Sequence, residues 1–452
     1  MYDVIVIGAR CAGSPTAMLL ARCGYRVLLV DKARFPSDTV STHVVKARGM
    51  AYLRKWGLLG QLRGAGVPIR QDFCFTREAI TLAGAPGLAA LRRCLQREHG
   101  WDADALHECE VEWACIRRRV LDKVLVDAAE SAGVEIREGF AVEDLLTDAT
   151  GRVVGIRGRS DRGALVEERS RVVVGADGRH SLVARLVRAA VLEERPKCTY
   201  TVYSYYSGID VDAFKPPVHL RGRLGIGFAP TQHGLALIAT WGPREWFDAF
   251  RADLEGNLLR SMGYCYPEFE AAVRASGRRE EHISGTVDLS NVLRRAAGPG
   301  WLLVGDAGCH VDQCTAIGIT LAFRDAELAA GAISRGLSGE ESVDASLAAY
   351  DARRLEGLRP YFDYVAAVAA CNPPSLEQLR MLAAMRGRCE HIERFLGFGA
   401  AIVPHTEYFS PPELAQLVEA AGDGLGGVPT PGELEELNSW YRRNPWQLDA
   451  HT

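Results

Sequence analysis

The chain has 452 residues, 48% hydrophobic and 24% charged, with a formal net charge of −4 at pH 7. This is the composition of an ordinary globular protein with room for two or three packed units, and the near-neutral balance removes any bulk electrostatic case for a nucleic-acid partner. The 12 cysteines are scattered, with no C-x-x-C pair and no histidine at zinc-ligand spacing, so they read as reduced core thiols and not as a disulfide framework or metal centre. No apolar run approaches membrane-spanning length and no leader segment precedes the first strand, so the expectation is a cytoplasmic protein with no membrane contact.

The first element is "VIVIGARCAG" (4–13). Val4, Ile5, Val6 and Ile7 form the short apolar run of a buried parallel strand. Gly8 makes a tight turn, and Gly13 stands where a helix must pack close to the strand. "SPTAMLLARCG" (14–24) continues as that helix, with Gly24 closing it, and "RVLLVD" (26–31) is a second buried strand ending on Asp31. This strand–turn–helix–strand–acid order is that of a dinucleotide site. Arg10 replaces the middle glycine of G-x-G-x-x-G, exchanging close backbone approach for a guanidinium beside the phosphates. From these residues alone, the turn is open between FAD, NAD and no ligand.

Two later stretches narrow the choice. "RVVVGADGRHS" (171–181) is a valine-rich strand ending in Asp177-Gly178, a pair that by itself reads equally as a β-turn. In "GPGWLLVGDAGCHVDQCTAIGITLAFRDAELAAGAI" (298–333), a strand stops at Gly305-Asp306, and after an irregular stretch a helix begins near residues 316–318. An aspartate at a parallel strand's carboxyl end, beside a helix N-terminus, can bond a sugar alcohol while the helix end faces an electron-rich ring.

In this order and spacing, Gly8…Gly13, Asp177-Gly178 and Gly305-Asp306 resemble the three fingerprints of the FAD-dependent aromatic hydroxylase superfamily, which includes geranylgeranyl reductases and flavin-dependent halogenases. The resemblance is strongest to a branch with a G-A-R-C-A-G turn and covers essentially the whole chain, taking in "ARFPSDTVSTH" (33–43), "RRRVLDKVLVDAAESAG" (117–133), "FRDAE" (323–327) and "EYFSP" (407–411). It implies an α/β protein: a Rossmann-like FAD-binding domain (1–72, 100–190 and 285–335), an antiparallel β-sheet substrate domain (73–99 and 191–284) and a C-terminal helical region (336–452).

It also implies roles for residues. Gly8, Arg10, Cys11, Ala12 and Gly13 would surround the pyrophosphate, and Asp31, with Lys32 beside it, would bind the adenosine ribose. Arg118 would reach the phosphate or ribityl region, Val142 would pair through its backbone with adenine, and Asp177, Gly305 and Asp306 would hold the cofactor's middle. Thr42 and His43 would lie near the flavin, and Ala316, Gly318 and Ile319 would offer N–H groups to its N1–C2=O edge. A helix N-terminus there stabilises reduced, anionic flavin by ~0.3–1 kcal/mol, up to ~2 when partly buried.

The chain departs from the pattern at Asp312-Gln313, where many relatives have Asp-Pro, so Gln313 joins His43 as a catalytic candidate. It lacks the G-W-x-W-x-I-P signature, which ranks halogenation low, and it has no second G-x-G-x-x-G, so NADH or NADPH would visit only transiently as reductant.

Between the second and third motifs, "CTYTVYSYYSG" (198–208) alternates, with Thr201, Tyr203 and Tyr205 on one face. "RLGIGFAP" (223–230) and "LALIATW" (235–241) flank a hairpin whose tip carries His233. This sheet is expected to cap the flavin, with Tyr203, Tyr205 and Trp241 as candidate substrate contacts. His180 and His310 flank motifs without a partner identifiable from sequence. Beyond Gly336 the chain reads as helices, one of which would kink or break near Pro360. The resemblance implies a monooxygenase of secondary metabolism, oxidising an aromatic or polycyclic small molecule with NAD(P)H and O2 through a flavin C4a-hydroperoxide. The alternative is a reductase or dehydrogenase acting on C–C or C–N bonds without oxygen insertion. Sequence leaves monomer and homodimer open.

Overall fold

The computed structural model describes residues 1–447 apart from 108, 162, 423 and 424. Its central sheet runs, in spatial order, through Ala297–Gly298, Trp301–Leu303, Leu165–Gly175, Tyr2–Ile7, Val27–Asp31 and Glu135–Glu138. All neighbours from Trp301–Leu303 to Glu135–Glu138 are parallel. Parallel strands covered on both faces need apolar residues at every position, and Val4, Ile5, Val6, Leu28, Leu29, Val173 and Leu302 are all at 0% exposure.

The register pairs Ile7 with Gly175 and Val30, and Gly175 with Leu303. Four adjacent strands therefore end at one rim, delivering Gly8, Asp31, Asp177 and Asp306 to one crevice although up to 298 residues separate them in sequence. This is the crevice in which open α/β sheets bind ligands.

The second sheet lies over this rim. Its order is Arg278–Arg279, Thr199–Ser207, Ala236–Pro243, Leu224–Pro230, Val218–Arg221, Phe73–Arg77 and Ile80–Gly84. Its outer face packs Tyr200, Val202, Tyr206, Phe228 and Ile238 against Leu258, Met262, Phe269 and Val273 of two helices, Leu254–Cys265 and Pro267–Ser276. Its inner face presents Tyr203, Tyr205, Ala229 and Leu237 to Cys115 of the first unit.

Two long antiparallel-sheet-free elements complete the support: the Gly318–Ser338 helix and the Val343–Ala369 helix. The second runs unbroken through Pro360, correcting the expected break. The Leu88–His99 helix, assigned from sequence to the sheet unit, instead buries Leu91, Cys94 and Leu95 in the core of the first unit. Near the chain's end, the Tyr441 ring covers Gly222 and its hydroxyl donates to Glu78 Oε2 at 2.5 Å, clasping the second sheet. Among the described residues no helix is long and apolar enough to cross a membrane, no cysteine is disulfide-bonded and no acid–His–Cys group could hold a metal ion.

Candidate active site

The first turn is built around two glycines. Gly8 has φ +102°, and a β-carbon there would lie 2.4 Å from the Ala176 carbonyl oxygen. A β-carbon on Gly13 would lie 1.7 Å from the Gly8 oxygen. Asp31, buried at the end of its strand, accepts from Ala9 N and Ala33 N at 2.7 Å each. It thus shapes the turn, and each carboxylate oxygen keeps a lone pair for a ribose hydroxyl. Lys32 points to solvent. Val142 sits half-buried in the Phe140–Thr147 strand opposite Gly158, packed on the first core.

The charge at this turn is organised by Asp122, which sequence reasoning missed. At 0% exposure it accepts from Arg10 Nη1 at 2.6 Å, from Arg118 Nε and Nη2 at 3.1 Å each, and from the Cys11 thiol at 3.4 Å. Arg10 also donates to Ser37 Oγ at 2.9 Å and lies over the Phe35 ring. Two guanidiniums sharing one carboxylate leave a net positive charge beside the N-terminus of the Gly13–Arg22 helix. The only sequence signal for Asp122 was its i,i+4 spacing from Arg118.

The third motif meets the first. A β-carbon on Gly305 would lie 2.8 Å from Ala12 Cβ, and the half-buried Asp306 carboxylate acts electrostatically on Arg118. Asp177 behaves otherwise than expected. Its carboxylate accepts from Ser181 Oγ at 2.5 Å, Leu182 N at 2.6 Å and Val183 N at 3.2 Å. It is committed to the start of the Leu182–Leu186 helix, so its contribution is to hold the strand end behind Gly8.

The turn before the long helix is pinned by Asp312. This buried carboxylate accepts from Cys314 N at 2.9 Å and from the Thr199 hydroxyl of the second sheet, while its own N–H donates to Asn291 Oδ1 at 2.7 Å. Burial pushes its pKa up, and the Thr199 and Cys314 bonds pull against that. Gln313 follows in the Gln313–Thr315 turn, half-buried, its side chain without a hydrogen bond to any described residue. Ala316, at φ +53°, turns the chain into the helix at Gly318 but donates its own N–H to the Gln313 carbonyl at 2.9 Å, correcting the expectation that this group is free; at Gly318 nothing lies within 4 Å of a β-carbon position, so the helix start is open.

His43 lies between the units at 0% exposure, edge-on to Tyr203 at a 5.1 Å centroid distance. Its Nε2 is 3.1 Å from the Tyr205 hydroxyl, and its Nδ1 has no well-formed hydrogen bond among the described residues. Burial, then the charges of Arg118 and Arg117, hold its pKa down to about 3, so the ring is neutral. Thr42 beside it is half-buried. Arg117 lies 4.2 Å over the Tyr205 ring, and burial pushes the Tyr205 phenol upward, so it keeps its proton. Lys46, also missed from sequence, donates to the Gly399 carbonyl at 2.7 Å, and burial lowers it to about 8. His180 pairs with Asp288 at 3.0 Å and His310 bonds the Ser290 carbonyl, partners not identifiable from sequence; His233 is exposed at its turn. Trp241 is half-buried on the inner sheet face.

These residues fit a flavin dinucleotide. The glycine turn leaves no room for a β-carbon, two guanidiniums share one carboxylate beside it, and the buried atoms His43 Nδ1, Thr201 Oγ1 and Thr315 Oγ1 have no hydrogen-bond partner among the described residues. FAD bound here would run from Asp31 past Arg10 and Arg118 to the Asp306 turn and the Gly318 helix end.

The chain is similar to a tryptophan 2-halogenase of Chondromyces crocatus, 26% identical over 356 residues, covering 75% of this chain and 62% of that protein. It is also similar to digeranylgeranylglycerophospholipid reductase 2 of Methanothermobacter thermautotrophicus, 28% identical over 355 residues, covering 74% and 79%. Among solved structures, the flavin-dependent brominase Bmp2 superposes with a TM-score of 0.74 at 18% identity over 93% of this chain and 98% of that one. Pseudomonas aeruginosa PqsL in complex with 2-aminobenzoylacetate superposes at 0.65 with 21% identity over 88% and 98%. A family model described as FAD binding domain matches residues 1–359, and the chain belongs to that family, within the aromatic hydroxylase superfamily of flavoproteins.

Proposed function

We propose that this FAD-dependent oxidoreductase is a monooxygenase of an aromatic or polycyclic small molecule, using NAD(P)H and O2. The observation that carries the reading is the aromatic row on the inner sheet face, where Tyr203 and Tyr205 are buried with Cys115, Trp241 lies half-buried on the same face, and Thr199 of that sheet bonds Asp312 in the turn before the Gly318–Ser338 helix. When bound, FAD supplies the electron transfer and oxygen activation; no protein nucleophile or metal is required.

The chain's own residues bind, orient and exclude water. Arg10 and Arg118 would hold the pyrophosphate and Asp306 would accept from ribityl hydroxyls, while Asp312 fixes the Gln313–Thr315 turn. The Tyr205–His43 pair sets a proton. If His43 donated from Nε2, the Tyr205 hydroxyl proton would be buried without an acceptor; Tyr205 as donor leaves only Nδ1–H unmet. His43 is therefore neutral with its proton on Nδ1, and at neutral pH it does not act as an imidazolium acid.

A reductase reading without oxygen insertion has one specific support, the Gln313 turn in place of the usual proline, and relatives named as reductases and as halogenases accompany it. The test is to purify the flavoprotein and screen aromatic metabolites for stimulated NADPH or NADH oxidation under labelled oxygen gas. One labelled atom in product supports the proposal. Product formed under strict anaerobiosis, or halide incorporation without labelled oxygen, overturns it.

A further inference from the structure

Of the aromatic side chains on the inner sheet face, two are already spent. Tyr203 and Tyr205 are 5% and 3% exposed, pack against His43, and Tyr205 carries Arg117 on its ring. Trp241 differs. It follows Leu237 and Ala239 at a period of two on the Ala236–Pro243 strand and so shares their inward face.

Its indole lies over the neighbouring Leu224–Pro230 strand, in the space that side chains at two glycines would take. A β-carbon on Gly225 would meet Trp241 Cε2 at 2.3 Å and Nε1 at 2.7 Å, and one on Gly227 would meet Cζ3 at 3.4 Å. Backbone thus supports one side of the ring. Among the described residues, Trp241 joins no apolar cluster, has no aromatic neighbour, and its N–H has no acceptor. Opposite it in register is Thr201, whose hydroxyl is also unmet, and two residues further back Thr199 bonds Asp312 at the edge of the flavin crevice. A single partly exposed aromatic on an outer surface is unremarked. This one faces inward, beside the crevice, on a seat made by glycines.

We propose that Trp241 is the stacking floor of the substrate subsite, created by Gly225 and Gly227, and that it takes a planar aromatic ring with a hydrogen-bond acceptor on its rim. The inference deepens the aromatic-substrate reading and rests on it. Aromatic stacking needs a flat, supported face, and the indole N–H selects for an acceptor at the ring's edge.

The probes are 2-naphthol and its saturated, non-planar counterpart decahydro-2-naphthol, titrated into the FAD-loaded protein and followed by the flavin's visible band and by tryptophan fluorescence. The wild type should bind 2-naphthol more tightly than the saturated alcohol. Trp241→Leu should weaken 2-naphthol about three- to tenfold, and Trp241→Phe should retain most of the affinity. Gly225→Ala keeps the indole but displaces it, and should weaken 2-naphthol as Trp241→Leu does; an unchanged flavin band in each variant reports an intact fold. Equal binding of the two alcohols by the wild type, or full 2-naphthol affinity in Trp241→Leu, overturns the stacking floor and leaves the monooxygenase reading standing. Failure of the wild type to bind 2-naphthol likewise overturns the stacking floor, whereas the monooxygenase reading stands or falls on the labelled-oxygen experiment.

Discussion

Asp122→Asn separates the roles of charge and ligand in the crevice. The carboxylate is fully buried, with Arg10 at 2.6 Å and Arg118 at 3.0 Å. Removing one partner of a buried ion pair costs about 3–5 kcal/mol, because the other charge stays behind uncompensated. Here Arg118 is 11% exposed and Arg10 is 26% exposed, so water relieves part of the penalty at Arg10 and the lower end, about 3 kcal/mol, applies. For units of this size, that is a fall in Tm of about 6–12 °C in the protein freed of cofactor. A pyrophosphate carries negative charge to the same guanidiniums. The FAD-saturated variant should therefore lose less, and the upward shift of Tm on adding FAD should be larger in Asp122→Asn than in the wild type. Thermal unfolding of both proteins with and without FAD checks this. If the loss is the same in both states, the guanidiniums do not face the pyrophosphate and the assignment of the turn fails.

Three further outcomes follow from the same geometry. Gly8→Ala should abolish stoichiometric flavin in the purified protein, since its β-carbon meets the Ala176 carbonyl at 2.4 Å and φ is +102°; the ratio of flavin to protein absorbance reads this directly. His43 is neutral in the fold, with its pKa held at about 3 against an ordinary 6.5, so the unfolded chain takes up the extra proton. Its contribution is intact above pH 6.5 and is lost as pH falls toward 3, at up to about 1.4 kcal/mol per pH unit. Denaturation of His43→Gln should show a shallower loss of stability than the wild type between pH 6 and pH 4, and parallel curves would refute the burial argument. Asp325 accepts from Gly305 N at 3.2 Å and from Arg354 Nε at 2.8 Å, linking the Val343–Ala369 helix to the Asp306 turn. Asp325→Asn should weaken FAD binding about tenfold, a loss of about 1.4 kcal/mol, measured by fluorescence titration; unchanged affinity would show that the turn holds itself.

The divide between what was legible in sequence and what was not follows the range of the interactions. Gly8 and Gly305, each just past a buried strand, and Gly13, where a helix must start against one, were legible because a glycine at such a place has few other physical reasons to be there, and the structure supplies a backbone or side-chain atom within 2.8 Å of each missing β-carbon. The inner face of Thr199–Ser207 was legible because a strand's period of two needs no partner to be read. Asp122 and Arg354 were not, because a charged residue on an amphipathic helix looks solvated until its partner is known, and the partner of Asp122 at Arg10 lies 112 residues away. Asp177 misled for a related cause. A strand ending in Asp-Gly has one sequence whether the carboxylate faces a cofactor or caps Leu182 and Val183, and only the placement of the next helix decides. Trp241 lies at the boundary: its strand face could be read, but its seat depends on the register that sets it opposite Gly225, a property of two strands and of neither alone. The glycines that shape the phosphate turn are legible singly, whereas the glycines that shape the proposed substrate floor acquire meaning only in pairs. That is why the cofactor could be inferred from motifs, whereas the proposed floor under Trp241 emerges only from packing.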